Sequence, residues 1–366
     1  FDEILTIDKS LSLVGFPHKK SVLTNLITIT SGLTDIIIDG FSMTGKAQIK
    51  STGTLERFSF INNHVYDTDL VGTSYSPTTR INVNAIIQLY RLADSNVFGD
   101  ITISNNLFNN IKSDIISIDR TMVNKSIDIT NNQFRNFKIG AIRFDGGYNN
   151  GTYNITGNLF ENDIKQAETA ITFRAYSSSA GNVQTINITN NTFKNIGNEF
   201  NNPTSSQPAS AVIGTSTWNS YETNFNVLDN MFINTHNSIH MRKNEVTTLW
   251  HTTITGNSFT NPTGYIYYED SNSATVNSNT YYDIFGTEIV PENIEDTRTS
   301  AQSIIKVKDI VGQYVVVTYT YNEETVKYDV IEDYQTSIVG KTITIIPETK
   351  LGYYTEFDKY LTMNLY

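Results

Sequence analysis

Apolar and polar residues alternate along most of this chain in short runs, and each run ends in the same kind of two-residue turn. Ile101-Thr-Ile-Ser-Asn-Asn-Leu-Phe108 is the clearest copy. Further copies are Ile127 to Phe134, Tyr153 to Phe160, Ile186 to Phe193, Phe225 to Phe232, Thr252 to Phe259 and Ala274 to Tyr281. Phe58 to Val65 and Ile36 to Met43 are weaker ones. The first and third positions are mostly apolar, and the residues between them are polar. A period of two predicts a strand with one buried face. The turn opens on Asn, Gly, Asp or Ser, residues that tolerate tight turns, Asn and Gly most readily in the left-handed region. Its second residue is Asn at 63, 106, 132, 158, 191, 230, 257 and 279. A large apolar residue, usually Phe, then points back inside.

This closing apolar residue falls at 43, 65, 108, 134, 160, 193, 232, 259 and 281. The shortest intervals are 22 and 26 residues. The interval of 43 reads as two coils, the hidden one near Ile81 to Tyr90, and those of 33 and 39 read as coils with inserted loops. Helices do not explain the pattern, because β-branched residues are dense and no 3.6-residue period is sustained. An antiparallel sandwich gives no reason for one Asn to recur at coil spacing. A parallel stack does: equivalent residues of successive coils lie about 4.8 Å apart, so like stacks on like. Asn in such a ladder bonds its amide to the copies above and below. The Phe positions predict a second, internal ladder. These Asn residues therefore read as structural rather than as ligands.

Each coil carries a further strand. Its copies are Ala85 to Tyr90, Ile115 to Asp119, Ala141 to Asp145, Ala170 to Arg174, Ser238 to Arg242 and Tyr265 to Glu269, with Ala211 to Thr215 fitting the same place. The predicted fold class is all-β: a right-handed single-stranded parallel β-helix of about ten coils over residues 1–291. A linker over 292–300 and a small antiparallel β domain over 301–366, acting as cap or connector, complete it. The strand-like runs after Ser300, such as Tyr314 to Tyr321 and Lys341 to Ile346, support that last piece.

The opening Leu5-Thr-Ile-Asp-Lys-Ser-Leu-Ser-Leu-Val-Gly15 resembles the segment by which pectate-lyase-like β-helix proteins enter their stack. Ile36-Ile-Ile-Asp-Gly-Phe-Ser-Met-Thr-Gly45 resembles their first full coil. The resemblance covers about residues 1 to 290 and implies fold rather than activity, since that superfamily holds lyases, hydrolases, epimerases, tail spikes and adhesins. The Asn-Thr-Asp, Asp-Asp and Gly-His-Gly segments of polygalacturonase-like members and the Trp-x-Asp-His segment of pectate lyases are absent.

Composition narrows the choice little further. The 366 residues suffice for a large core and include no Cys, so disulfide frameworks and thiolate metal sites are excluded. Net charge is −11 without a Lys/Arg cluster, which argues against nucleic acid as a partner. No apolar run approaches the roughly 20 residues of a membrane-spanning helix. A chain opening and closing in strand-like sequence reads as a processed chain or a piece of a longer one.

Chemistry is sought on the outer face of the further strand, where the superfamily usually places its groove. Arg143 and Asp145 share one strand face, as do His240 and Arg242, and stacking brings Arg174 near the first pair. One reading is a groove for an acidic polysaccharide. There Arg143, Arg174 and Arg242 pair with uronate or sulfate, and His240 or a carboxylate such as Asp145 moves the proton. Tyr148, Tyr176, Trp218, Tyr221 and Trp250, assigned to neighbouring loops, could stack on sugar rings. The rival reading is a solvated face of alternating charge that favours correct pairing. No cofactor and no defined metal site is indicated, although scattered Asp67, Asp69, Asp114, Asp119 and Asp145 leave room for a surface calcium. Asn-x-Ser/Thr triplets at Asn124, Asn150, Asn154, Asn187 and Asn190 accept glycans only in a source that glycosylates them. The expectation is a non-catalytic scaffold of the cell surface, extracellular space or virion. It would belong to a longer adhesin-like or phage-fibre protein, with a surface glycan, neighbouring domains or a second copy as partners. The alternative is a polysaccharide lyase or epimerase.

Overall fold

The computed structural model describes residues 2–15, 21–51, 53–70, 84–90, 98–119, 125–145, 151–164, 169–175, 183–197, 211–217, 222–243, 250–262, 266–269, 275–288, 292–296, 303–308, 314–319, 334–339, 342–347 and 361–365. Three parallel sheets of ten strands each make a parallel β-helix of ten coils. The first sheet runs through Leu5–Ile7, Leu26–Ile29, Gln48–Ser51, Ala85–Leu89, Asp114–Ile118, Gly140–Asp145, Thr169–Ala175, Ile213–Thr217, Ile239–Lys243 and Tyr267–Glu269. From the second coil onward, each coil continues into a second-sheet strand, a two-residue turn and a third-sheet strand. In the fourth coil these are Phe98–Ser104 and Leu107–Asn109.

The 43-residue interval between Asn63 and Asn106 proves to be one coil. Ala85–Leu89 is its own first-sheet strand, pairing with Gln48–Ser51 below and Asp114–Ile118 above. The hidden extra coil expected there is therefore absent, and the added residues are insertions within a single turn of the stack.

The Asn turn works as the repeat predicts. Asn132 shows the full bonding of one rung. Its backbone N–H and Nδ2 both donate to Asn158 Oδ1, at 2.9 and 3.0 Å. Nδ2 also donates to the Ile103 carbonyl at 2.8 Å. Its own Oδ1 accepts the backbone N–H and Nδ2 of Asn106 at 3.0 and 2.9 Å. The ladder continues without a break from Asn63 to Asn279. In the second coil, where Phe41 stands at the ladder position, its backbone N–H donates to Asn63 Oδ1 at 2.9 Å. Every polar atom of a central rung is thus satisfied, which is the condition for burying an amide.

The preceding turn residue takes positive φ in every copy: 57° at Asn62 and Asn105, 56° at Asn131, Asn190 and Asp229, and 53° at Ser278. Gly157 and Gly256 do the same at 68° and 72°. At Gly256 the reason for glycine is steric as well, because a Cβ would lie 2.1 Å from Asp229 Oδ1 of the rung below.

Inside, Phe60, Phe108, Phe134, Phe160, Phe193, Phe232, Phe259 and Tyr281 form one stack, with ring centroids 4.7 to 6.1 Å apart. The Ile rows of the first and second sheets complete the core. A second polar corner lies after the third sheet and went unread in the sequence. Asn110, Asn136, Asn195, Asn234 and Asn261 stand there with φ of 55°, 51°, 56°, 51° and 47°. Asn110 donates to Asp67 at 2.9 Å, and Asn234 to Asn195 at 2.7 Å. The signal was present: Asn recurs two residues after each stacked Phe.

Past the tenth coil, strands pair in a six-stranded sheet in the order Ser303–Lys308, Tyr314–Tyr319, Glu292–Asp296, Leu361–Leu365, Thr342–Pro347, Tyr334–Val339. Its contacts are antiparallel, apart from the parallel pairing of Glu292–Asp296 with Tyr314–Tyr319. Glu292–Asp296, read from sequence as linker, is a strand of this sheet. No helix among the described residues is long and apolar enough to cross a membrane.

Candidate functional site

The outer face of the first sheet holds the predicted chemistry. Strand register places Gln88, Ser117, Arg143, Thr172, Gly214, His240 and Tyr268 in one row, one residue per coil. By strand alternation this row points opposite to the core row of Ile87, Ile116, Ile142, Ile171, Ile213 and Ile239. Two residues further along, strand register places Asp145, Arg174, Ser216 and Arg242 in a second row.

The first of these rows is buried rather than solvated. Ser117, Thr172 and His240 are 7, 6 and 2% exposed. Ile86, Ile115, Ala141, Ala170 and Val212, on the same side by alternation, are fully buried. The expected solvated face of alternating charges is therefore overturned along this row. Alternation fixes which side a residue takes, whereas cover from the rest of the chain fixes whether water reaches it. The sequence did carry a sign: Ala85-Ile-Ile-Gln-Leu89 is nearly continuous in apolar residues, as strands covered on both faces are.

Arg143 has a partner that the sequence reading did not assign to it. Its Nη1 lies 3.6 Å from Asp114 Oδ2, and both side chains are only 13 and 12% exposed. Asp114 begins the strand one coil below. Gly140, its register neighbour, leaves room for the carboxylate, since a Cβ there would stand 3.1 Å from Asp114 Oδ1. A buried pair of this kind is held because loss of either partner strands the other charge.

The predicted site residues divide between the two rows. Arg143 and His240 share the first, three coils apart with Thr172 and Gly214 between them, a separation of about 14 Å at strand spacing. Asp145 and Arg174 are register partners in the second row, and Arg242 follows two coils after Arg174. The fold thus sets Asp145 and Arg174 in register and keeps His240 away from Arg143. Glu269 is the register partner of Met241, and Tyr268 that of His240. Trp250, expected on a loop, is the first residue of the second-sheet strand Trp250–Thr255 and pairs with Thr223. Tyr148, Tyr176, Trp218 and Tyr221 lie outside the described residues.

Elsewhere, titratable groups serve the stack. Glu161 on the third sheet meets Lys194 at 2.7 Å and Arg135 at 3.1 Å. The Lys194 hydrogen bond, assisted by both cations against the opposing effect of burial, holds its carboxyl below the usual range. Burial works against Asp100, but the Ser126 N–H and the Lys125 ammonium outweigh it and keep that carboxyl low too. Burial pushes the Tyr281 hydroxyl up to about 12, with a hydrogen bond to Asn279 acting in the opposite direction. Asn154 and Asn187, both in glycosylation triplets, spend their amides on Asp128 at 2.7 Å and Asn154 at 2.9 Å along the outer second sheet. Among the described residues, no three His, Asp or Glu stand together as a metal-binding group would.

The chain has no match among protein-family models, curated proteins or solved structures.

Proposed function

We propose that this chain is a non-catalytic β-helix scaffold, a rigid rod within a longer extracellular, cell-surface or virion-surface protein that presents its loops to a glycan. The observation that carries the reading is the fate of Arg143. It is paired with Asp114 in a buried face, about 14 Å in register from His240, instead of facing a proton-transfer group across an open groove. Catalysis of polymer cleavage needs acid, base and charge-stabilising groups converging on one reacting centre. Among the described residues, the Asn ladder and the ion pairs of Asp100 and Glu161 instead link coil to coil. The six-stranded sheet supports a capping role for residues 301–366, because Tyr314–Tyr319 comes within 8 Å of the last first-sheet strand. Such a cap would shield a strand edge that otherwise recruits other chains.

A polysaccharide lyase or epimerase is the second reading, favoured by one observation, the adjacency of Asp145 and Arg174. The two readings separate on incubation with a panel of uronic-acid polymers, followed by the absorbance of the unsaturated product. The scaffold reading expects none. Cleavage that disappears in Arg174→Ala, with the melting temperature retained, overturns it.

A further inference from the structure

We propose that two copies of this chain join end to end through their first coils and form a closed, symmetric dimer. The core of the stack is open at that end. Leu5, Leu11 and Leu13 stand in the core rows, in register with Ile27, Ile36 and Ile38 of the second coil. Those isoleucines are 1, 0 and 0% exposed, whereas Leu5 is 38% exposed and Leu11 and Leu13 are only partly buried. Ile4 and Val14 beside them are 65 and 68% exposed. Among the described residues, no strand lies against the outer edge of Leu5–Ile7 or Leu11–Val14, each of which pairs with the second coil alone. The other end differs. Tyr267 and Tyr281 of the tenth coil are 1 and 8% exposed, and Tyr314–Tyr319 of the six-stranded sheet comes within 8 Å of Tyr267–Glu269. The last second-sheet strand, Thr275–Asn277, places two exposed polar residues, Thr275 and Asn277, at its edge.

The contrast between the ends selects the occupant. Inside the molecule every coil is completed by the strand edges and apolar rows of its neighbours, and this coil-on-coil contact stops at the first coil. A strand edge above an open apolar floor is completed by another strand edge of the same kind. The tenth coil of a second copy is unsuited, because its core is closed. The first coil of a second copy offers the same floor and the same edges. A two-fold axis across the stack turns the partner's strands over, so the two first coils meet as antiparallel strands, a pairing at least as stable as the parallel one. Such a contact is isologous and closes at two chains, whereas first coil on tenth would continue into a filament. Charge opposes the contact: exposed Asp2, Glu3 and Asp8 outnumber Lys9 at that end, so like faces like. Apolar burial has to outweigh a repulsion that salt screens.

The inference rests on the scaffold reading only in taking the far end as capped. The test is analytical ultracentrifugation of the full chain across the micromolar range. A monomer–dimer equilibrium is expected, with no larger species, and the dimer tightens as salt is raised. Ile4→Asp and Val14→Asp, at exposed positions of the first coil, add like charges across the contact and weaken the dimer about a hundredfold. Met231→Asp on the third sheet and Phe285→Asp at the far end, also at exposed positions, leave it unchanged. Melting temperatures establish that each variant is folded. Hydrogen exchange of the Leu5–Ile7 and Leu11–Val14 amides slows with concentration in the unaltered chain and not in Val14→Asp. A monomer at every concentration overturns the dimer and leaves the cap standing, and a dimer that survives both first-coil variants also overturns it. Species that keep growing with concentration, or a dimer lost in Phe285→Asp, show an open far end and overturn the dimer and the cap together.

Discussion

The corner between the second and third sheets and the outer face of the first sheet ride on the same ten coils but use them in opposite ways. At the corner every coil from the third onward repeats the same side chain, from Asn63 to Asn279, and each rung bonds the next. On the outer face the residue changes at each step, through Gln88, Ser117, Arg143, Thr172, Gly214 and His240. Identity from rung to rung is what stacking rewards, because each Asn amide donates to the Oδ1 of the next Asn in the ladder. Variation from rung to rung has no such reward. It marks the face where local demands, such as the buried ion pair of Arg143 with Asp114, decide the residue.

The sharpest way to break the comparison is to remove one rung. Asn158→Leu leaves the Asn132 backbone N–H and the Ile129 carbonyl without partners in a dry corner. At about 1–3 kcal/mol for each stranded group the loss is about 3–5 kcal/mol, read as a fall in the urea midpoint. Asn279→Leu at the half-exposed end of the ladder loses less, about 1–2 kcal/mol, because water reaches it. Equal losses at the two positions would remove the ladder as the explanation. Phe193→Ala, in the middle of the ring stack with neighbours at 4.9 Å on both sides, costs about 3–5 kcal/mol through the cavity it leaves.

Alkaline pH tests the last rung. The hydroxyl of Tyr281 ionises near 10 in the unfolded chain and at about 12 when folded, so between those values the unfolded chain binds fewer protons. Its contribution is intact below pH 10 and is lost progressively up to about pH 12, amounting to roughly 2–3 kcal/mol in all. The difference in urea midpoint between pH 9 and pH 12 should be larger in the unaltered chain than in Tyr281→Phe. An identical difference would show that burial of this hydroxyl has no part in it.

Glu161 gives a smaller effect of opposite sense. With its folded value held low, it adds stability above its ordinary value of 4.5, and this is lost as pH falls. Its partners Lys194 and Arg135 are more than two-fifths exposed, so the effect is about 1 kcal/mol or less. Glu161→Gln should flatten the acid limb of the thermal-melting profile slightly. The smallest change is Asn187→Ala, on the half-buried outer ladder. Water replaces the lost bonds there, and a shift within about 0.5 kcal/mol is expected, against several for Asn158. A loss comparable to that of Asn158 would mean that exposure does not separate the two ladders.

Much of this was legible in the sequence, residue by residue. The alternation in Ile101-Thr-Ile-Ser and the recurrence of Asn106 and Phe108 at coil spacing suffice to predict strand, turn, ladder and ring stack. The second Asn corner was equally legible at Asn110 and Asn136, but the eight-residue unit stopped short of it. The coil count within the 43-residue interval was not legible, since an insertion and an extra turn add similar lengths of chain. Nor was the register of Tyr268 and Glu269, because a slip of one residue in an aromatic-rich strand exchanges the two faces.

The sequence by itself determined the architecture, because a parallel stack is specified by local period and by identical residues meeting themselves at a fixed spacing. Both are properties of the chain read in one dimension. Only the tertiary structure decided the condition of the outer face. Whether Arg143 meets Asp114 and whether Thr172 and His240 are dry depend on cover and on coil-to-coil register across unequal loops. Those are relations between distant segments, and no single segment encodes them.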